Sequence, residues 1–311
     1  MRPLLIPLLF LPTSTAASRL IRPTAPATLN PQPPCPISLL EEATSRYLLS
    51  QSTGNPRWLD RLLAPNATLL ENNTPVPRST SLLNTALPIA SVHHRYDPVA
   101  CATYTELISL GTPSDRIIGT QLRLTPGSSS STGFTRNATT TTTAKIAKID
   151  SIVTGPGDLY FNATHTLHYA LLEPWTPIPP SERDTREVLQ AAADAYYAVF
   201  SNNSTVVPWG SPCVRLEGGA YIGVGAGENG TDSCNTGLPP FAVTMPDRRY
   251  VIDEEMGMVN ILSDFGILGP DSHEFRIEGG RIRYIHAMSF CQGTPNCNAP
   301  DHPGLTDDVG Y

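Results

Sequence analysis

The sequence predicts an α+β fold built as two consecutive modules, and three observations predict it. Each half opens on a stretch with helical apolar periodicity and continues as strand-like segments separated by turn residues. A Pro-rich stretch, Pro174 to Pro180, divides the halves. Beyond it the helix-then-strands pattern begins again, a structural repeat without an obvious repeat of sequence. The 311 residues suffice for two ordinary domains. The expected layout is a first module at 37–173, a linker at 174–181, a second module at 182–291 and a tail at 292–311.

In the first module a helix starts with a capping-box pattern, Ser38-Leu39-Leu40-Glu41, and Leu39, Leu40, Ala43, Tyr47 and Leu48 fall on one face. Pro56 to Leu63 and Thr80 to Leu87 read as short helices, and Ala67 to Glu71 as a strand. Further strands are expected over 100–110, 116–124 and 144–154. Between the last two, the Ser/Thr-rich stretch 125–143 cannot support a packed core and reads as an exposed loop. Over 159–171, Leu159, Phe161, Ala163, His165, Leu167, Tyr169 and Leu171 alternate with mostly polar residues, which predicts a strand with Asn162 facing outward.

In the second module Asp184 and Glu187 suggest another capping box, and Val188, Leu189, Ala192, Tyr196, Val199 and Phe200 form a helical stripe. Strands are expected over 213–216, 249–258, 260–265, 273–278 and 281–288. Gly279-Gly280 joins the last two as a two-residue hairpin.

Three signals point to the secretory pathway. Residues 1–18 have a signal-peptide pattern: Arg2, an apolar run from Leu4 to Leu11, then small residues at Ala16, Ala17 and Ser18. A Pro-rich segment at 19–36 follows. Asn-x-Ser/Thr sequons occur at Asn66, Asn72, Asn137, Asn162, Asn202, Asn203 and Asn229, where chance would give roughly two or three. Six cysteines favour disulfides, with Cys213–Cys234 and Cys291–Cys297 closing local loops and Cys35–Cys101 remaining. Secretion or residence in a secretory lumen is therefore expected, with no later stretch apolar and long enough to span a membrane.

Composition excludes other classes. Charged residues are 16% and hydrophobic residues 40%, as in a globular chain, and the net charge of -7 without basic clusters argues against nucleic acid. No spacing supports a metal site. Gly225 to Gly230 fits G-x-G-x-x-G, but it carries a sequon and no helix follows, so no dinucleotide cofactor is expected.

Several stretches are similar to a known family: Val207 to Gly219, Arg248 to Val259 and His273 to Met288 in the second half, and Tyr47 to Ser50 with Arg57 to Asn73 in the first. They resemble the NTF2-like superfamily, in its SnoaL-like and ketosteroid-isomerase-like branch. The arrangement resembles secreted two-module proteins of filamentous fungi. The resemblance implies two tandem cones, each a curved antiparallel sheet wrapped around N-terminal helices. Relatives include isomerases, cyclases, dehydratases and non-catalytic binders, so the fold does not fix the function.

Alternation along the strands selects candidate residues. Ile282, Tyr284, His286 and Met288 share one expected face, as do His273, Phe275 and Ile277, and as do Tyr250, Ile252, Glu254, Met256 and Met258. Glu254, His286, His273 and Tyr196 make a candidate acid–base set, because a carboxyl group in apolar surroundings can exchange protons with an imidazole. Tyr47, His94, His165, Tyr250, Tyr284 and Met256 are expected to line pockets. An apolar small molecule is the expected substrate or ligand, and homodimerisation is compatible with the fold. Two functions follow: a cofactor-independent isomerase or cyclase acting on a secondary metabolite, or a non-catalytic extracellular binder.

Overall fold

The structure is a computed structural model that describes residues 35–125, 144–223, 234–235, 241–266 and 268–291. The signal segment, Asn137, Asn229, Cys297, the Gly225–Gly230 stretch, nearly all of the Ser/Thr-rich loop and the tail lie outside them.

The first module begins with α1 (Ile37–Thr53). Pro36 precedes the helix and no side chain caps it, so the capping box expected at Ser38 is not formed: Ser38 lies inside the first turn. The helix stops at Gly54, whose φ of 61° suits glycine and where a Cβ would lie 2.5 Å from the Ala86 nitrogen. The sheet consists of β1 (Leu63–Glu71), β2 (Thr74–Pro75), β3 (Ile89–Asp97), β4 (Ala102–Ser109), β5 (Arg116–Leu124) and β6 (Ile146–Thr154). The spatial order is β2-β1-β6-β5-β4-β3, with β1 parallel to β6 and every other pair antiparallel.

Next comes α2 (Ala163–Ala170), where the alternation had suggested a strand. Asn162 is its N-cap and accepts the His165 N–H at 3.0 Å, so this sequon does not sit on an outward strand face. Ala163, Thr166 and Ala170 are the buried positions, a spacing of three and four that a helix satisfies as well as alternation satisfies a strand. The helix docks on the turn at Gly218-Gly219. The Thr166 hydroxyl donates to the Gly218 carbonyl, and a Cβ on Gly219 would meet Asn162 Cβ at 2.4 Å.

The second module repeats the plan. It has α3 (Arg186–Val199), β7 (Trp209–Glu217), β8 (Ala220–Ile222), β9 (Arg249–Asp253), β10 (Met258–Phe265), β11 (Gly269–Glu278) and β12 (Arg281–Ser289). Thr185, not Asp184, is the N-cap of α3, and Asp184 instead accepts the Gly280 N–H at 2.8 Å. The expected strand over 249–258 breaks at Asp253, because Gly257 (φ 56°) turns the chain back into β10. The order β8-β7-β12-β11-β10-β9 matches that of the first sheet, again with one parallel pair, β7 and β12. The two sheets are curved and unclosed, an α+β architecture consistent with two tandem cone-like domains.

Each sheet packs one face on its own helix. Tyr47 of α1 lies among Leu59, Leu122 and Ile149, and Tyr196 and Tyr197 of α3 lie among Phe275, Ile261 and Ile285. The opposite faces meet each other, and the apolar cluster there draws Tyr104, Ile117 and Ile152 from one sheet and Val251, Leu262 and Met288 from the other. Polar contacts cross this seam: Gln121 Nε2 donates to Asn260 Oδ1 (2.6 Å), and the Tyr104 hydroxyl meets Ser272 Oγ (3.2 Å).

Disulfides join Cys35 to Cys101 and Cys213 to Cys234, and Cys297, the expected partner of Cys291, lies outside the described residues. Two disulfides fit folding in an oxidising compartment. Among the described residues, no helix is long and apolar enough to cross a membrane.

Candidate active site between the two modules

The expected acid–base set does not come together as one site: a β-bulge turns His286 away, and Glu254 falls in the turn after β9. Arg276 pairs with Tyr284 while the adjacent Ile277 pairs with Ile282, so β12 carries one extra residue at Arg283. A single inserted residue reverses the facing of everything beyond it. Ile282 therefore packs beside Ile285 in the core under α3. Tyr284, His286 and Met288 turn to the other side, toward the first module.

Tyr196 and His273 do meet. The Tyr196 hydroxyl lies 3.2 Å from His273 Nε2, His273 Nδ1 lies 2.5 Å from Asp271 Oδ1, and Ser289 donates to Asp271 Oδ2 at 2.7 Å. The Asp271 carboxylate faces Nδ1, which orients the ring so that Nε2 meets the phenol. Burial raises the Tyr196 pKa beyond its ordinary value despite the nearby Arg215. The space around these side chains is filled by the rings of Tyr197, Phe265 and Phe275, each within 6.0 Å of the His273 ring centroid.

Glu254 is exposed in the turn after β9, where its carboxylate accepts the Arg186 N–H at 3.2 Å. Among the expected pocket residues, Tyr47 bonds to Thr120 and Tyr250 to Asp194, both away from the main pocket. His165 packs edge-on to Tyr169, and Tyr284 lies 6.0 Å from Trp175.

His286 stands in a different constellation. Its Nδ1 lies 3.1 Å from both Glu106 oxygens, and its Nε2 lies 2.9 Å from Glu173 Oε2. Both nitrogens face carboxylates, which calls for two donors and hence an imidazolium. Burial opposes that charge, but Glu106 and Glu173 together outweigh it and raise the His286 pKa well above the usual imidazole value. Glu274, directly across the strand pair from His286, is fully buried, and burial pushes its pKa up to about 7 against the pull of Arg95. Arg95 Nε lies 2.9 Å from Glu274 Oε1, out of line for a hydrogen bond.

Strands from both modules and the segment after α2 build this cluster. Glu106 comes from β4, where it pairs across the strand with His93 of β3. Glu274 and His286 come from β11 and β12. Glu173 and Trp175 come from the segment that follows α2, and the Trp175 ring lies edge-on to His286 at 4.9 Å and 5.3 Å from the His93 ring. Burial lowers the His93 pKa to about 4, so this imidazole is neutral at ordinary pH.

A pocket of about 870 Å³ opens beside the cluster, walled by His93, His94, Arg95 and Tyr96 on one side and Glu173 and Trp175 on another. The turn from Asp253 to Met256 and the start of α1 complete it, so His94, Glu254 and Met256 of the expected residues belong to this pocket. The wall is mixed in character rather than apolar. Along its inner side lie buried polar atoms without hydrogen bonds: His93 Nδ1, Arg95 Nη2, Glu173 Oε1 and Trp175 Nε1. Such atoms cost free energy unless something pairs with them.

Residues 182–289 match a family model described as a domain of unknown function, DUF8021. No curated protein matches the chain. The matched segment is the second module and supplies Glu274 and His286. Glu106, His93 and Glu173, which complete the cluster, come from outside it.

Glu106, Glu274 and His286 each offer a ligand atom within 4.8 Å of the others, a spacing able to hold a metal ion. The positive charge of Arg95 and the doubly hydrogen-bonded His286 already balance most of the carboxylate charge there. Sequence reasoning found His286 but missed Glu106, Glu173, Trp175 and Glu274. The available signal was the charged Glu106 within the otherwise uncharged run Ala102 to Leu110.

Proposed function

We propose that the chain is a secreted pair of NTF2-like, SnoaL-like cones and that it moves protons on a small organic molecule held between them, as a cofactor-independent isomerase or cyclase. The reading is carried by one observation: unpartnered acid–base atoms of His93 and Glu173 line the inner wall of a ligand-sized pocket. In this reading Glu173 accepts a proton from the ligand and returns it at another atom. The His286 imidazolium and Glu106 behind it hold the charge of Glu173 steady, as positioning residues. The Glu173 side chain is only 1% exposed, so Trp175 has to turn aside for a ligand to reach it.

A second reading, a non-catalytic extracellular binder, is favoured by that same closure. The two part on a comparison of small-molecule profiles of cells with the wild-type gene, with Glu173→Gln and with no gene. Under the enzyme reading, a product disappears and its precursor accumulates in both altered strains. Identical profiles in all three remove the enzyme reading and leave the binder.

A further inference from the structure

The pocket wall has a marked charge bias. Five carboxylates line it (Glu41, Glu173, Asp253, Glu254 and Glu255) against two guanidiniums, Arg95 and Arg183. Both guanidiniums already face carboxylates, although Arg95 Nη2 is left without a hydrogen bond. Arg95 is paired with Glu274 behind the wall, and Arg183 lies 3.6 Å from Glu255 and donates to the Ile178 carbonyl. Three of the carboxylates make no ion pair among the described residues, although the charge of Arg95 reaches Asp253. Asp253 accepts only backbone N–H groups, from Tyr96 and Met256. Glu254 accepts a backbone N–H, and Glu41 is exposed beside Tyr96 and His94. Deeper in, Glu173 Oε1 is buried without a hydrogen bond.

The remaining wall is aromatic and uncharged. Tyr96 and His94 face each other at 5.3 Å, and Trp175 and His93 stand at 5.3 Å. Burial disfavours the charged form of both imidazoles, so neither adds positive charge. Carboxylates alternating with π-faces attract a cation and repel an anion.

We propose that the ligand of this pocket is a cation: a molecule with an apolar, ring-sized body and a protonated amine. The apolar body lies against Trp175, Ile252 and Met256, and the ammonium group meets the carboxylates of Glu41, Asp253 and Glu254 near the mouth. This names the ligand class for the pocket used in the functional reading above and rests on that pocket being the working one.

The test uses the purified glycoprotein and three probes of one shape: tryptamine, the uncharged indole-3-ethanol and the anionic indole-3-acetate. Affinities are measured by calorimetry at neutral pH and low salt. Tryptamine binds about tenfold more tightly than the alcohol, with the anion weakest. The double variant Glu41→Gln, Glu254→Gln, at two exposed positions, loses that preference while still binding the alcohol. No preference for the amine, including no binding by any probe, overturns the proposal. An amine preference without any change in the small-molecule profiles above keeps the cation site and removes catalysis. Altered profiles without an amine preference do the reverse.

Discussion

Asp97 and Asp253 grip each other's modules in the same way. Asp97, the last residue of β3, accepts the Ile252 N–H of β9 at 2.9 Å, and Asp253, the last residue of β9, accepts the Tyr96 N–H of β3 at 3.0 Å. Each also holds its own hairpin turn, Asp97 through Ala100 N–H at 2.8 Å and Asp253 through Met256 N–H at 3.0 Å. One difference separates them: Asp97 also receives both terminal nitrogens of Arg186, at 2.7 and 2.8 Å.

That difference sets the expected cost of losing each carboxylate. Asp97→Asn breaks a largely buried bidentate ion pair and costs about 3 kcal/mol. Asp253→Asn weakens hydrogen bonds only and costs about 1–2 kcal/mol. Urea denaturation midpoints at constant m-value give both numbers. Equal losses would mean that Arg186 adds nothing to the grip.

The His286 cluster makes stability depend on pH in a definite direction. His286 has a raised pKa in the folded protein, so its stabilisation is complete below the unfolded imidazole value and fades as pH rises above it. Glu274, raised to about 7, acts in the same direction between the ordinary carboxylate range and neutrality. His93, lowered to about 4, acts oppositely below about pH 6.5. Stability is therefore expected to be nearly flat from about pH 5 to 6.5 and to decline above that by up to about 1.4 kcal/mol per pH unit. Denaturation at pH 6 and pH 8 tests this, and His286→Gln leaves only the smaller decline that Glu274 contributes below about pH 7. A protein that grows more stable from pH 6 to 8 contradicts the protonated His286.

Tyr196→Phe separates the two buried histidines. It removes the hydroxyl that meets His273 and leaves the ring packing intact, so it costs about 1 kcal/mol and leaves any turnover or ligand binding unchanged. Glu173→Gln is expected to cause the larger functional loss. If Tyr196→Phe abolishes turnover, the working site is the cone interior and not the pocket between modules.

Asn162 is both sequon and helix cap, and two substitutions part these roles. Asn162→Ala loses the cap on α2 and costs about 1 kcal/mol. Thr164→Ala at an exposed position also destroys the sequon but keeps the cap, and stability falls by less than half as much. Thermal denaturation and intact mass measure both effects. Equal destabilisation would assign the loss to the glycan.

Much of the architecture was legible because each core face is apolar on a regular period. The helices around Tyr47 and Tyr196 and most of the strands fall where the periodicity put them. The site was less legible, and the reasons are local. β3, with Ser91, His93, His94 and Arg95, lacks an apolar face because much of it lines a polar seam or the pocket, so no strand was expected there. The bulge at Arg283 turned His286 to the opposite face, and a bulge of this kind leaves no mark in an alternating pattern. Glu106 and Glu173 meet His286 from 180 and 113 residues away, through packing that local pattern cannot report.

The matching strand order of the two sheets has one more consequence. A cross-strand row of Arg95, Tyr104, Gln121 and Asp150 in one sheet corresponds to a row of Val251, Asn260, Glu274 and His286 in the other. In a symmetric pair of identical chains, every substitution appears twice, and a residue useful at one place is imposed on its mate. Joined in one polypeptide, the mates can differ, and here they do. Asp150 holds an ordinary ion pair with Arg249 at 2.7 Å, while His286 sits among carboxylates beside the pocket. A substitution in one module therefore leaves its mate in the other unchanged.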